Sequence, residues 1–307
     1  MKFRNILMGL SIFIGITGIT GFNTAVSAQT INPYHYFGQT EKSYSSEIDY
    51  GNNSSVGHYV KSNDAAIYYE VYGDKKAETV VLLHGGMVGV PAEMSQLADK
   101  LISDYQIVLI ATRGHGRSEV GKSIPSYEQK AEDINAVLED LKIDRANFIG
   151  FSDGGYSALF FAERYPEKTD KVIGIGAGVW RKGFVQGGRT AMKSFEDLRN
   201  MDIRYWNEQQ NGIRPEPERT AEWFDSTINY YNFVAVDEKI FGNIKAETLL
   251  LAGEKDANAP LDTVVEAYHM MANAQLGIVP DAPHGVLQTD FDTAYVMIQK
   301  FLGKSDK

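Results

Sequence analysis

The run Phe148-Ile149-Gly150-Phe151-Ser152-Asp153-Gly154-Gly155 spells the pattern G-x-S-x-G with Ser152 at its centre. Its apolar lead-in reads as the end of a buried strand, and Tyr156-Ser157-Ala158-Leu159-Phe160-Phe161-Ala162-Glu163-Arg164 reads as a helix packed through small residues. A serine on the sharp turn between them is held in a strained backbone with its hydroxyl exposed, and the flanking glycines permit that turn. Three fixed positions recur by chance, and Gly154-Gly155 would equally suit a glycine-rich helix start. A nucleophile therefore needs a base, a carboxylate and oxyanion donors elsewhere in the chain.

A serine hydroxyl is weak until a base takes its proton, and imidazole is poised to do so near neutral pH. Of the six histidines, His284 lies on Pro283-His284-Gly285 after the last expected strand, where the chain order Ser, Asp, His puts the base. His35 and His58 lie upstream of the main sheet, His269 is mid-helix, and His84 and His115 adjoin glycine turns and read as loop braces. The carboxylate that fixes the base's tautomer is expected at Asp256, on Gly253-Glu254-Lys255-Asp256. Asp262 reads as a helix start, Asp281 as a turn residue and Glu254 as an exposed charge.

The oxyanion of a tetrahedral intermediate needs two preorganised backbone N–H groups. Asp153, after the nucleophile, and Gly86, in His84-Gly85-Gly86, occupy the matching positions, with Met87 as the fallback. Asp153 also puts a carboxylate beside the nucleophile. Either it turns into a helix-start hydrogen bond, or it faces a cationic amine on a substrate.

These residues must be positioned by a regular frame. His58–Lys61 and Ala66–Tyr72 read as an antiparallel hairpin, and continuous apolar runs at 79–83, 106–110, 171–176 and 247–252 read as strands buried on both faces. A last strand is expected over 274–279. Between them fall helical stretches at 92–101, 126–141, 262–271 and 290–302; the second carries Ala131, Ile134, Val137, Leu138 and Leu141 on one face. This alternation predicts a mostly parallel sheet with helices on both faces. Each candidate residue falls just past the C-terminal end of a strand, where such sheets place ligands.

From about Trp180 to Asn243 the alternation stops, and the segment turns helical and aromatic: Phe184, Phe195, Tyr205, Trp206, Trp223, Phe224, Tyr230, Tyr231 and Phe233. It reads as a cap whose rings form either its own core or a pocket over the elbow. Upstream, residues 29–57 are rich in Tyr, Ser and Asn and read as a flexible arm. Residues 58–307 are expected to form the folded domain.

The N-terminus has Lys2 and Arg4, an apolar run from Ile6 to Ile19, and Val26-Ser27-Ala28 before Gln29. Basic head, short apolar middle and small-x-small site predict an export signal over 1–28, too short and glycine-rich for a membrane span. The whole chain of 307 residues has 30 basic and 40 acidic side chains. Without the two basic residues of that segment the net charge is about −12, which argues against nucleic acid or anionic membrane as partner. There is no cysteine, hence no disulfide or thiolate metal site, and no His/Asp/Glu cluster has ligand spacing. The expectation is a bacterial periplasmic or secreted protein, free of the membrane after signal removal, that needs no metal.

Taken together, His84-Gly85-Gly86, Arg113-Gly114-His115-Gly116-Arg117-Ser118, Gly150-Phe151-Ser152-Asp153-Gly154-Gly155, Gly253-Glu254-Lys255-Asp256 and Pro283-His284-Gly285 resemble the α/β-hydrolase superfamily over about Val60 to Leu302. The G-x-S-D-G-G and G-E-K-D forms resemble its biphenyl-hydrolase-like, valacyclovirase-like branch. The resemblance implies the α/β-hydrolase fold, with an eight-stranded-type sheet and a helical cap inserted before the penultimate main strand. It implies a cofactor-free serine hydrolase that cleaves a small-molecule ester or lactone through a Ser152-His284-Asp256 triad and an acyl-enzyme. Serine at the elbow counts against haloalkane dehalogenases and epoxide hydrolases, while carbon–carbon bond hydrolases and perhydrolases stay open. Export would suit an exogenous substrate such as a macrolide-type lactone antibiotic. Two rival readings are a proline-iminopeptidase-like enzyme that uses Glu216, Glu218 or Glu222 to hold an amino terminus, and a non-catalytic small-molecule receptor on the same fold.

Overall fold

The computed structural model describes residues 34–183 and 194–303. The export signal expected at 1–28 and the cap residue Phe184 lie outside the described residues.

The strands are β1 (Gly57–Ser62), β2 (Ala65–Tyr72), β3 (Thr79–Leu83), β4 (Gln106–Ile110), β5 (Ala146–Phe151), β6 (Thr169–Ile175), β7 (Glu247–Gly253) and β8 (Ala274–Val279). They form an eight-stranded sheet in the order β1-β2-β4-β3-β5-β6-β7-β8. The β1–β2 hairpin joins β4 antiparallel, and every pairing from β4 onward is parallel. Residues alternate between the two faces with a period of two. Val81, Leu83, Val108, Ile110 and Phe148 enter one core, whereas Val80, Leu82, Ile107, Leu109 and Ile149 enter the other. Each such side chain contributes roughly 1.5–3 kcal/mol of burial free energy, which is why these runs read as apolar throughout rather than alternating.

The helices are α1 (Ser95–Leu101), α2 (Tyr127–Leu141), α3 (Asp153–Arg164), α4 (Phe195–Met201), α5 (Ile203–Glu208), α6 (Thr220–Phe233), α7 (Glu238–Phe241), α8 (Leu261–Met270), α9 (Val286–Thr289) and α10 (Phe291–Leu302). In α2 the Ser126 hydroxyl accepts from the Gln129 N–H, capping the first turn, and Lys142 at φ 55° closes the last one. Helices α4 to α7 lie between β6 and β7 and form the expected cap. A bridge between Trp180 and Val236 closes the cap at its base.

The register fixes where the site can be. Leu83 pairs with Ile110 and Gly150, Phe151 with Ile175, and Gly253 with Val279, so the loops after β3, β5, β7 and β8 leave one edge of the sheet. The strand order reverses between β3 and β5. Ligands bind at such a switch point because the two outgoing loops part there.

The arm differs from its expectation. Over 34–57 it is packed on the body, because it satisfies a carboxylate that β2 buries. Glu70 accepts from the backbone N–H groups of Gly51 and Asn53 at 2.6 and 2.7 Å, and from the Tyr68 and Tyr72 hydroxyls at 2.6 and 2.9 Å. Tyr50 is buried and donates to Asp99 at 2.8 Å. Further upstream, His35 and Gly38 bond to Asp202 of the cap at 2.9 Å each. Composition reads such a stretch as loose because its anchors are polar contacts, not an apolar stripe.

Candidate active site

Ser152 sits between β5 and α3 at φ 53°, ψ −116°, a conformation that L residues rarely adopt. Two glycines make the turn possible by close approach. A Cβ on Gly150 would stand 2.1 Å from the Gly154 carbonyl oxygen, and one on Gly154 would stand 2.3 Å from that of Leu83. The strain lifts the hydroxyl out of the sheet edge toward the β8 loop. There the His284 Nε2 is 2.8 Å from Ser152 Oγ, and its Nδ1 is 2.7 Å from Asp256 Oδ2.

Asp256 is buried, and its other oxygen accepts from the backbone N–H groups of Asn258 and Ala259 at 2.8 and 2.7 Å. Those bonds lock its orientation, so the acceptor facing Nδ1 cannot rotate away. With Nδ1–H donating to the carboxylate, Nε2 is left as the acceptor for the serine proton. The three residues expected to act together are therefore in one hydrogen-bonded line. Glu254 instead accepts from the Asp281 N–H, and Asp262 lies in the first turn of α8.

The oxyanion loop lies across from this line. Asp153 is the first residue of α3, so its N–H has no partner within the helix. Neither its N–H nor those of Gly86 and Met87 have a hydrogen-bond partner among the described residues. Gly86 stands over Asp153: a Cβ there would meet the Tyr231 hydroxyl at 2.5 Å and the Asp153 Cβ at 2.8 Å. Met87, at φ 58°, lines the wall beside it. His84 braces the loop, as its Nε2 accepts from the Thr112 N–H at 3.0 Å and its Nδ1 donates to the Gly85 carbonyl at 2.7 Å. Burial lowers its pKa to about 4, so the ring stays neutral. His115 is packed against it and is likewise pushed down by burial.

The Asp153 side chain follows neither sequence alternative. Its Oδ2 pairs with the ammonium of Lys130 from α2, and its Oδ1 accepts from the Tyr231 hydroxyl at 2.7 Å. All three groups are buried. Burial, with Asp153 next, raises the Tyr231 phenol well above its ordinary range, so it remains a donor.

A cavity of about 600 Å³ opens over the serine. Tyr127, Phe151, Tyr156, Trp180, Ile228 and Tyr231 give it apolar walls, and Leu198 and Met201 bring in the cap. Most of the cap's other rings form its own core; Trp206, Trp223 and Phe224 are fully buried, and Phe233 faces solvent. Glu216 and Glu222 pair with Arg219, and none of Glu216, Glu218 and Glu222 lines the cavity. Sequence reasoning missed Lys130, Glu93 and Phe37, all at or just behind this wall. Glu93 accepts from the Gly85 N–H, and burial raises its carboxyl pKa to about 8. Phe37 comes from the arm and packs edge-on against Tyr205 at 5.7 Å.

The comparisons with known proteins agree with this architecture. Residues 78–213 match the family described as alpha/beta hydrolase fold. A 2-hydroxy-6-oxo-6-phenylhexa-2,4-dienoate hydrolase of Burkholderia cepacia is 28% identical over 238 residues, covering 68% of this chain and 82% of its own. Two solved structures share the fold: a meta-cleavage product hydrolase from Pseudomonas fluorescens IP01, at TM-score 0.67, 20% identity and coverage of 81% and 98%, and the enol-lactonase of Burkholderia xenovorans LB400, at 0.64, 21%, and 80% and 100%. These matches show the α/β-hydrolase fold and support a hydrolase of that superfamily.

Proposed function

We propose that the protein is an exported serine esterase that cleaves a small neutral ester or lactone without a cofactor. The observation that carries this reading is the continuous line Ser152 Oγ, His284 Nε2, His284 Nδ1, Asp256 Oδ2, with links of 2.8 and 2.7 Å, beside two unpaired backbone N–H groups. Ser152 attacks the carbonyl carbon as His284 takes its proton, and the oxyanion collects the N–H groups of Asp153 and Gly86. Collapse expels the alkoxide, which takes the proton from His284 and leaves an acyl-enzyme. Water, deprotonated by the same imidazole, then releases the acid.

A 2-hydroxy-6-oxodienoate of the kind named for the relatives carries a carboxylate, and among the described residues no Lys or Arg lines the cavity. That argues against an anionic substrate, while Arg219 takes up Glu216 and Glu222 and leaves Asp197 of the cap as the exposed carboxylate on the lining. Export rests on the 1–28 segment, and with it an exogenous substrate such as a macrolide-type lactone.

The test is a burst-phase assay on short p-nitrophenyl esters, with lactones, a macrolide and a 2-hydroxy-6-oxodienoate in the same panel. A burst followed by turnover, absent in Ser152→Ala, is expected. Turnover of the dienoate alone, or activity that survives in Ser152→Ala, would overturn the reading.

A further inference from the structure

The carboxylate beside the nucleophile is the most conspicuous charge at this site, and the chain has already answered it from within. Lys130 reaches Asp153 from behind the cavity wall, with its side chain 1% exposed against 4% for Asp153. Its ammonium lies 5.2 Å from the Tyr127 ring centroid, and its ion-pair partner among the described residues is Asp153. Asp153 is thus held on one oxygen by a cation and on the other by the Tyr231 phenol. The groups that act on the pair from α2, α6 and the loops after β3 and β4 are Tyr127, Tyr230, Tyr231, His84, Glu93 and His115. At neutral pH none of them adds a full charge.

We infer that Lys130 is a selectivity residue: its buried ammonium occupies the charge site that Asp153 would otherwise present to a substrate amine, so the cavity admits neutral acyl groups and turns away aminoacyl ones. Two consequences follow from electrostatics. An ammonium beside the serine meets a carboxylate whose charge is already cancelled, and it loses its own hydration there for no return; of the other lining carboxylates, Glu93 keeps its proton at neutral pH and Asp197 of the cap is exposed, where water screens it. In addition, an unpaired Asp153 would lie beside the developing oxyanion and raise its energy, so Lys130 also protects the chemistry of neutral esters.

This inference deepens the esterase reading and rests on it for the word substrate, so the experiment separates the two. The probes are the p-nitrophenyl esters of valine and of 3-methylbutanoic acid, which differ only in the α-amino group, and the matching amides as non-hydrolysed ligands. In the unmodified protein 3-methylbutanamide should bind at least about tenfold more tightly than valinamide by thermal shift; tighter binding of valinamide overturns the inference, whether or not any ester is cleaved. In Lys130→Met, which keeps the length of the stem, the valyl-to-methylbutanoyl ratio of kcat/KM should rise by at least about tenfold, and Lys130→Met/Asp153→Asn should erase that gain. A purely structural role would lower both esters together and leave the ratio unmoved, which also overturns the inference. Should Lys130→Met not fold, Lys130→Gln is read for the same ratio, and the amide arm on the unmodified protein decides in any case. If neither ester is cleaved by the unmodified protein, the esterase reading fails while the amide arm still tests Lys130.

Discussion

Glu93→Gln should flatten a pH dependence of stability that the cavity wall imposes. The Glu93 carboxyl lies against the oxyanion loop, accepts one hydrogen bond from Gly85, and has its pKa raised by desolvation from 4.5 to about 8. The folded chain therefore keeps this proton through a range in which the unfolded chain has released it. Stability is unaffected by the group below pH 4.5 and falls as the pH rises toward 8, then levels off. A displacement of that size corresponds to roughly 5 kcal/mol at 1.36 kcal/mol per pH unit. Glu93 is only partly covered and faces a cavity that admits water, so about 2 kcal/mol is the working figure. Glutamine keeps the acceptor for Gly85 and never ionises. Urea melts of both proteins from pH 5 to 9 give the difference directly, since every other titrating group cancels between them. The variant should gain about 2 kcal/mol on the parent across that range, or about 4 °C in melting temperature. A difference that stays flat would show that Glu93 titrates like an ordinary glutamate and would refute the reasoning.

Other perturbations read other parts of the site. Asp256→Asn keeps an acceptor for the Asn258 and Ala259 N–H groups but can no longer hold the His284 tautomer, so kcat should fall by about 10³–10⁴ with an unchanged melt. Gly86→Ala puts a Cβ 2.5 Å from the Tyr231 hydroxyl and should cost about 10² in kcat; adding Tyr231→Phe should recover part of the loss, and no recovery would mean the contact is not the cause. Tyr50→Ala should destabilise the protein by about 3 kcal/mol in urea, whereas a loose arm would show no change. Phe37→Ala should raise kcat/KM for bulkier acyl groups over short ones, because its ring closes part of the cavity wall.

The frame was legible because burial writes itself into sequence as period and composition. Doubly covered strands read as apolar runs, and the strand ends gave Ser152, Asp256 and His284 their place before any geometry was known. The arm was not legible, since what fixes it is a buried carboxylate 19 residues away from Gly51. No local pattern announces that Glu70 will need backbone donors from an upstream segment. The cap was legible only as an insertion, because aromatic content does not say which rings turn inward; Tyr231 faces Asp153 while Phe233, two residues on, faces solvent.

Lys130 marks the boundary between these cases. On α2 the buried residues are Tyr127, Lys130, Ala131, Asp133, Ile134, Val137 and Leu138, so a lysine stands at a helical position that burial demands. Taken alone, that spacing says only that the ammonium must find an internal counter-charge, since an unpaired one costs several kcal/mol in such a place. Two carboxylates were candidates: Asp133, three residues on in the same helix, and Asp153 at the start of the next helix, which α2 packs against. The choice between them is made by Arg113, which takes Asp133 and leaves Asp153 for Lys130. The same step removes the charge on which a substrate amine would have relied, so a motif that looks like an invitation to cations becomes, one helix earlier in the chain, the reason to expect neutral substrates.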